Sequence, residues 1–531
     1  MFRWREEEMH SSQAMAQQEL DVTYYYNYLF MATVLLLPIL LMAMFRPPRK
    51  HDGENLPPGP WRLPVIGSMH HLVGALPHHA MRDLARRYNA PLMLLRLGEV
   101  DVVVASSAST AKEIMKTHDA TFATRPRTAT LRAITRDDLG ISLAPHGEHW
   151  RRLKKLCVTE LLSTRQVRSL RGCREANAAA LVSSIVSSLS SSSEPVNVSS
   201  LLSTHVTNFA VHAVVGNRNG DLRDEFLKVL DEGVKLAAGF SLADLFPSSR
   251  LARVFSGSTR RLEEISHELS QVIDGIIEDH RTRRSAGAGD EEEDLVDVLL
   301  RVQNDGSLHV PLDVGNMRAV ITDMFSGGSE TSATTLEWAM AELMRSPVAL
   351  RRVQAEVRGA LMGESCVGED ALKELHYLHL VIKETLRLHP VVPLLPRECQ
   401  GPCRILGYDV PKGAMVFVNV WAIGRDSASW GTDAEEFRPE RFEEAADAAV
   451  DFRGTNFELV PFGAGRRMCP GITFGLAVLE LMLASLLFHF DWELPGGGAG
   501  RLDMVEELGM TARRKGDLLL HASVRVPAPN P

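Results

Sequence analysis

The 531-residue chain is poor in several things that define protein classes. It has only six cysteines, Cys157, Cys173, Cys366, Cys399, Cys403 and Cys469, with no C-x-x-C pair among them. That excludes a disulfide scaffold and a zinc ribbon; Cys399 and Cys403, the nearest pair, have no further Cys or His at metal-ligand spacing. No sign of charge dominates, because 58 Lys and Arg stand against 67 Asp and Glu for a net charge of −9. A nucleic-acid partner is therefore not expected. No internal repeat recurs, and no glycine loop follows the dinucleotide-binding G-x-G-x-x-G pattern, so electrons for any redox chemistry must come from another protein. Proline and glycine, 27 and 39 residues, are too scattered for a fibrous or low-complexity chain.

What is present begins with the one long uncharged run near the N-terminus, the 18 residues Tyr28–Phe45. As a helix it would span about 27 Å, close to a bilayer's hydrocarbon thickness. Tyrosines 24, 25, 26 and 28 sit at its start, and Arg46, Arg49 and Lys50 follow it. The positive flank places the rest of the chain in the cytosol. A cleaved signal peptide is the weaker alternative, since no small-residue cleavage site follows. The reading is a polar leader over 1–23, a membrane anchor over 24–45, a basic and proline-rich linker over 46–64 and one catalytic body over 65–531.

Periodicity predicts a mainly α body with small β-sheets. Strands are expected at 91–97 and 100–105 around Gly98-Glu99, near 403–408 and 414–419, and at 518–526. Helices are expected at 150–162, 222–236, 259–280, 314–345 as one long element, 348–362, 372–388 and 472–490. Residues 187–194, rich in serine, and 286–294, rich in glycine and acid, read as loops. The apolar run 472–490 is long enough to span a membrane, but Thr473, Glu480, Ser485 and His489 interrupt it, so a buried core helix is expected.

Chemistry concentrates at Pro461-Phe-Gly-Ala-Gly-Arg-Arg-Met-Cys-Pro-Gly471. Cys469 precedes a long helix, where free N–H groups and the helix dipole favour a thiolate. Gly463, Gly465 and Gly471 let backbone approach a flat ligand. Arg467 is spaced to meet a carboxylate, and Phe462 offers a ring beside the sulfur. A thiolate, a cation, close backbone and an apolar surround suit an axial ligand to haem iron. A second pattern, Phe325-Ser-Gly-Gly328-Ser-Glu330-Thr331, sets two glycines and an acid–alcohol pair inside a helix. Two helical glycines cost about 1 kcal/mol each against alanine, a cost that neutral filler would not carry. The hydroxyl and carboxyl can pass protons.

The spacing Phe462-Gly-x-Gly-x-Arg467-x-Cys469-x-Gly471 resembles the haem-binding signature of the cytochrome P-450 superfamily. The acid–alcohol helix, Glu384-Thr-Leu-Arg387 and Phe437-Arg-Pro-Glu-Arg441-Phe442 follow in family order. The resemblance runs from the anchor to Lys515 and is closest to plant microsomal members of specialised metabolism. It implies haem b on Cys469, proton delivery by Glu330 and Thr331, and a structural network of Glu384, Arg387 and Arg441. It implies propionate contacts from Trp150, Lys154 and Arg397, with an ordinary surface cation as the competing reading. It implies substrate contacts within 135–143, 239–246, 324–326, 391–395 and 508–510, including Phe325, Gly328, Val391, Leu395 and Met510. The expected reaction is hydroxylation of a small lipophilic metabolite, with a terpenoid favoured and an indole or phenylpropanoid open. Partners would be membrane lipid and an NADPH–cytochrome reductase docking on Arg151, Arg152, Lys154 and Lys155 at the endoplasmic reticulum. The rival readings are a haem-thiolate isomerase or dehydratase that uses no dioxygen, and a non-catalytic haem sensor.

Overall fold

The computed structural model describes residues 55–527, apart from 136–139, 192–193, 217–224, 230–231, 234–235, 237–240, 256, 286–292, 306–311, 445–446, 497–501 and 510, together with 28 and 31–34 further upstream. The leader, most of the anchor and linker, much of the acidic loop and Met510 lie outside the described residues. Residues 28 and 31–34, within the segment expected to be an anchor, are helical and exposed.

The predicted hairpin forms at the N-terminal end of the body. Strands β1 (Leu92–Leu97) and β2 (Val100–Ala105) pair antiparallel, Leu94 opposite Val103. Gly98 turns the chain at φ +59°, and a Cβ there would stand 2.5 Å from the Leu245 carbonyl, so the turn needs glycine twice over. Two later strands join them. With β3 (Leu394–Glu398) and β4 (Met415–Asn419) the sheet order is β1-β2-β4-β3, β4 running parallel to β2 and antiparallel to β3. β4 is buried along its length and β2 nearly so, as expected of inner strands covered on both faces. The predicted strand at 403–408 is a small separate hairpin, Cys403–Ile405 paired with Tyr408–Val410.

Helices make the rest. The elements that bear on the site are α1 (Glu148–Leu156), α2 (Val314–Gly328), α3 (Glu330–Arg345), α4 (His376–Leu388) and α5 (Ile472–His489). α5 has mean hydropathy 1.9 and 61% of it is buried inside the fold, packed on α3, α4 and the helix Arg171–Ser191. Its apolar circumference thus reflects burial on several sides, as expected.

Two expectations are corrected. The element foreseen at 314–345 is two helices, broken at Ser329 (φ −88°, ψ −78°) directly after the glycine pair. The loop foreseen at 187–194 is helical through Ser191. There the hydroxyls of Ser187, Ser188 and Ser190 donate to carbonyls four residues back, at 2.9, 2.9 and 3.0 Å. Back-bonding removes the competition with the helix that makes serine a loop former, and buried Leu181, Val182 and Ile185 hold the helix down.

Beneath the sheet-side end of the helices lies an ion network with no exposure. Glu384 and Arg387 on α4 pair through two hydrogen bonds, 2.7 and 2.8 Å, and Arg441 Nε reaches the same carboxylate at 2.9 Å. The other guanidinium N–H groups donate to carbonyls of Gly424, Ala434 and Glu436 from Arg387, and of Asp433 and Glu436 from Arg441. A carboxylate and two guanidinium groups at 0–1% exposure survive only when every donor is used. Their role is to fix loops 424–441 against α4.

Candidate functional site

A cavity of about 480 Å³ lies between α2, α3, β3 and the loop before α5. Its floor is the cysteine loop. Gly463 adopts φ +70° and Gly465 φ +68°, a conformation that L side chains resist. A Cβ at Gly465 would stand 2.1 Å from the Met115 carbonyl. The loop closes where the Cys469 amide donates to Phe462 O at 2.9 Å. Cys469 is exposed, and its sulfur, Phe462 and Gly463 all line the cavity.

The thiol differs from expectation in one respect. Surrounding protein raises its pKa by desolvation; the Gly471 amide and the Lys154 cation pull the other way and lose. The Gly471 amide and the Lys154 cation are thus the groups here that favour a thiolate, against the cost of desolvation.

Three guanidinium groups line one end of the cavity: Arg125, Arg397 and Arg467. Arg397 is 3% exposed, and its one hydrogen bond among those resolved runs to the neighbouring Pro396 carbonyl at 3.0 Å. Burial and the repulsion of Arg125 and Arg467 push its pKa well down. Burial likewise pushes Arg125 to about 10 and Arg467 to about 9. Three desolvated cations around one cavity end call for anions there.

Arg467 is placed otherwise than a simple carboxylate clamp. Its three nitrogens donate to the carbonyls of Ala123 (2.5 Å), Ile141 (3.0 Å) and Ala144, and its guanidinium stacks 4.2 Å over Trp150. Two terminal N–H groups remain for a ligand. Trp150 on α1 lines the cavity, but its indole N–H is committed to Ile141 O at 2.9 Å. Trp150 therefore acts as a stacking platform for Arg467, not as a donor to a ligand. Lys154, one turn on, donates to Arg466 O and sits 5.2 Å from the Trp150 ring. The remaining basic residues of α1, Arg151, Arg152 and Lys155, are exposed.

From the end of α2 and the start of α3, Gly327, Gly328 and Thr331 also line the cavity. A Cβ on Gly327 would meet nothing within 4 Å, so that position faces open space. The Thr331 hydroxyl donates to Gly327 O at 2.7 Å, next to the helix break. Glu330 is turned away from the cavity and accepts the Thr511 hydroxyl at 2.5 Å. The acid and the alcohol are therefore adjacent in sequence but face different surroundings. Val391, Leu395 and Gly328 line the cavity as expected, while Phe325 does not. Phe325 is 3% exposed and packs edge-on against Phe226, 4.9 Å between ring centres, because its position faces the helix layer behind the cavity. It is a core residue, and its neighbour Met324 takes the lining place.

Two contributors escaped sequence reasoning. Arg125, in Thr-Arg-Pro, carries no motif signal, and its Nη1 donates to Pro396 O at 2.5 Å. Asp323 lies one turn before the glycines, and its carboxylate lines the cavity. A lone acid inside an otherwise apolar helix stretch was the available signal.

The residues fit a flat, iron-bearing dianion: one sulfur on the floor, glycine-lined backbone, three cations for two carboxylates, and an apolar wall. The comparisons agree. The Cytochrome P450 family profile matches residues 57–519. Desmethyl-deoxy-podophyllotoxin synthase of Sinopodophyllum hexandrum is 46% identical over 92% of this chain and 96% of its own length. Premnaspirodiene oxygenase of Hyoscyamus muticus is 45% identical over 90% and 94%, and tabersonine 3-oxygenase of Catharanthus roseus 43% over 93% and 98%. A sulfur-floored cavity with paired glycines above it, in a chain matched over nearly its whole length, belongs to the cytochrome P450 family, and the protein is a haem-thiolate monooxygenase of that family.

Proposed function

We propose that the enzyme hydroxylates a small lipophilic specialised metabolite, a terpenoid first among candidates. Supporting this, aliphatic side chains contribute much of the lining: Leu131, Leu143, Ala213, Val214, Val391 and Leu395. Among the described lining residues the charged side chains are Arg125, Lys154, Asp323, Arg397 and Arg467, and the first and last two of these are taken up by the cofactor carboxylates in this reading. The oxygenase relatives point the same way.

The cofactor in this reading is haem b: Cys469 would hold its iron, and Arg125, Arg397 and Arg467 would meet its carboxylates. When bound, the haem supplies thiolate-assisted activation of dioxygen with electrons delivered from outside. The chain's own groups do the rest. Gly327 and Gly328 leave room beside the helix, and the Thr331 hydroxyl, held on Gly327 O, offers a proton at the wall. Glu330, behind it, holds a proton acceptor fixed by Thr511. The aliphatic lining excludes bulk water from the reacting C–H bond. Monooxygenases of this family work with a redox partner; here it would be an NADPH-dependent flavoprotein reductase docking on exposed Arg151, Arg152 and Lys155. An N-terminal anchor would hold both proteins on the endoplasmic reticulum, catalytic body toward the cytosol. An isomerase without dioxygen has no use for the Thr331 hydroxyl held on Gly327 O at the cavity wall.

The observation that carries the reading is Cys469 lining a cavity together with buried Arg397 and Arg467 and half-buried Arg125. Its test is Cys469→Ser. The parent, reduced under carbon monoxide, should show the red-shifted Soret band of a thiolate ligand, and the variant should lose it. An unchanged band would refute the assignment. Co-expression with a reductase over a terpene and aromatic panel tests the substrate class; turnover confined to aromatics would overturn the terpenoid choice.

A further inference from the structure

The segment Gly140–Ala144 crosses the cavity wall as a single stretch of backbone held from both sides. On one side stands Asp323 of α2. Its carboxylate accepts the Ser142 amide at 3.2 Å, the Ser142 hydroxyl and the Ile141 amide. The approach is close enough that a Cβ on Gly140 would lie 2.0 Å from Asp323 Oδ2 and 3.0 Å from the Ala319 carbonyl. Only glycine lets chain and carboxylate meet there. On the other side the carbonyls of the same segment face the cations. Ile141 O accepts Trp150 Nε1 and Arg467 Nη1, Ala144 O accepts Arg467 Nη2, and Ser142 O accepts Arg125 Nε at 3.3 Å. Ile141, Ser142, Leu143 and Asp323 all line the cavity.

The two sides differ in kind. Arg467 belongs to the cysteine loop, Trp150 stacks on Arg467, and Arg125 is bonded to Pro396 O of β3. Among the described residues, Asp323 is the side chain that ties the segment by hydrogen bonds to α2, the helix that ends in the glycine pair just before Thr331. Few groups share that duty, and a carboxylate in a wall of this polarity is costly unless its hydrogen bonds are needed.

We propose that Asp323 is a latch: it holds Gly140–Ala144 against α2, and its release opens the wall for passage of substrate and product. The latch sets how long a lipophilic ligand stays and how firmly one C–H bond is presented, so it is a specificity-determining residue. This goes beyond the choice of substrate class and rests only on the cavity being the substrate chamber.

The test uses the full-length haem-loaded protein and the variants Asp323→Ala, Asp323→Asn and Ser142→Ala. Two quantities are read: amide hydrogen exchange in the 140–144 peptide, and stopped-flow release of 4-phenylimidazole, a lipophilic probe, with carbon monoxide recombination as a control small enough to need no opening. A charge-assisted latch predicts exchange at Ile141 and Ser142 about tenfold faster or more in Asp323→Ala, with release of 4-phenylimidazole rising in parallel and carbon monoxide recombination unchanged. Ser142→Ala, which loses one bond at an exposed side chain, falls between, and it decides the matter if Asp323→Ala does not retain haem. Unchanged exchange in Ser142→Ala and Asp323→Asn overturns the proposal. So does faster exchange with unaltered release, which would leave Asp323 a merely structural anchor. Exchange needs no thiolate signal, so a failed Cys469 assignment and a failed latch give separate results.

Discussion

Three arginines at one end of a cavity make a quantitative demand on whatever binds there. Arg397 is 3% exposed and Arg467 7%, and each lies among like charges. The perturbation is to offer the apoprotein metal-free protoporphyrin IX and, separately, its dimethyl ester. The two share ring, shape and apolar surface; only the two carboxylates differ. A hydrogen bond to a charged group contributes about 1.5–3 kcal/mol, so two carboxylates account for roughly 3–6 kcal/mol. That corresponds to affinity on the order of a hundredfold to ten-thousandfold weaker for the ester. Quenching of tryptophan fluorescence reports binding, since Trp150 lines the cavity beside Arg467. Arg397→Gln should weaken the diacid by about tenfold or more and leave the ester nearly unaffected. Equal affinity of diacid and ester, within threefold, would refute the argument that the arginine cluster is built for carboxylates.

The remaining expectations concern other parts of the same molecule. Thr331→Ala removes the hydroxyl on Gly327 O; product formed per NADPH consumed should fall by about tenfold, and full coupling would take Thr331 out of the reaction. Glu384→Ala strands Arg387 and Arg441 without a counter-charge in a fully buried place, a loss of about 3–5 kcal/mol or more, so soluble haem-loaded protein should be nearly absent; normal yield would show that the network is dispensable. Asp323 gives a pH signature. Burial pushes its carboxyl up to about 6, against the pull of Arg467, while the Cys157 thiol also faces it. The folded state therefore holds this proton more tightly than the unfolded chain, whose aspartates titrate near ~4. Its contribution to stability is fully present below ~4 and is lost as pH rises toward 6, whereas the ionised latch exists only above about 6. Release of 4-phenylimidazole should then speed up as pH falls from 7.5 to 5.5, with Asp323→Asn showing no such change; a flat profile in the parent would contradict it.

Much of the site could be read in one dimension because its parts are local. Phe462, Gly463, Arg467 and Cys469 sit within eight residues, and loop closure by the Cys469 amide onto Phe462 O is a short-range event. Gly328 and Thr331 are likewise neighbours across a helix break whose cause, two adjacent glycines, is written in the sequence. Apolar periodicity placed β1, β2, α1 and α5 within a few residues of where they lie, since alternation and full-circumference apolarity translate directly into faces to be buried.

Tertiary structure decided what depends on distant chain segments meeting. Whether Cys469 sits lower or higher in pKa is a balance between a local helix end and desolvation by the surrounding fold, and desolvation wins. Arg125 joins Arg397 and Arg467 only because β3 runs beside the segment before α1, a coincidence that no spacing rule encodes. Phe325 was assigned to the wrong side of its helix because a motif names a turn but not the direction in which each side chain points. Asp323 acquires its partners from Gly140–Ser142, about 180 residues away, where the permitting feature is the missing Cβ of Gly140. Sequence by itself settles local conformations and the chemical kinds of group available, because those depend on near neighbours. Which groups face each other, and what charge they can then hold, depends on the packing of the whole chain.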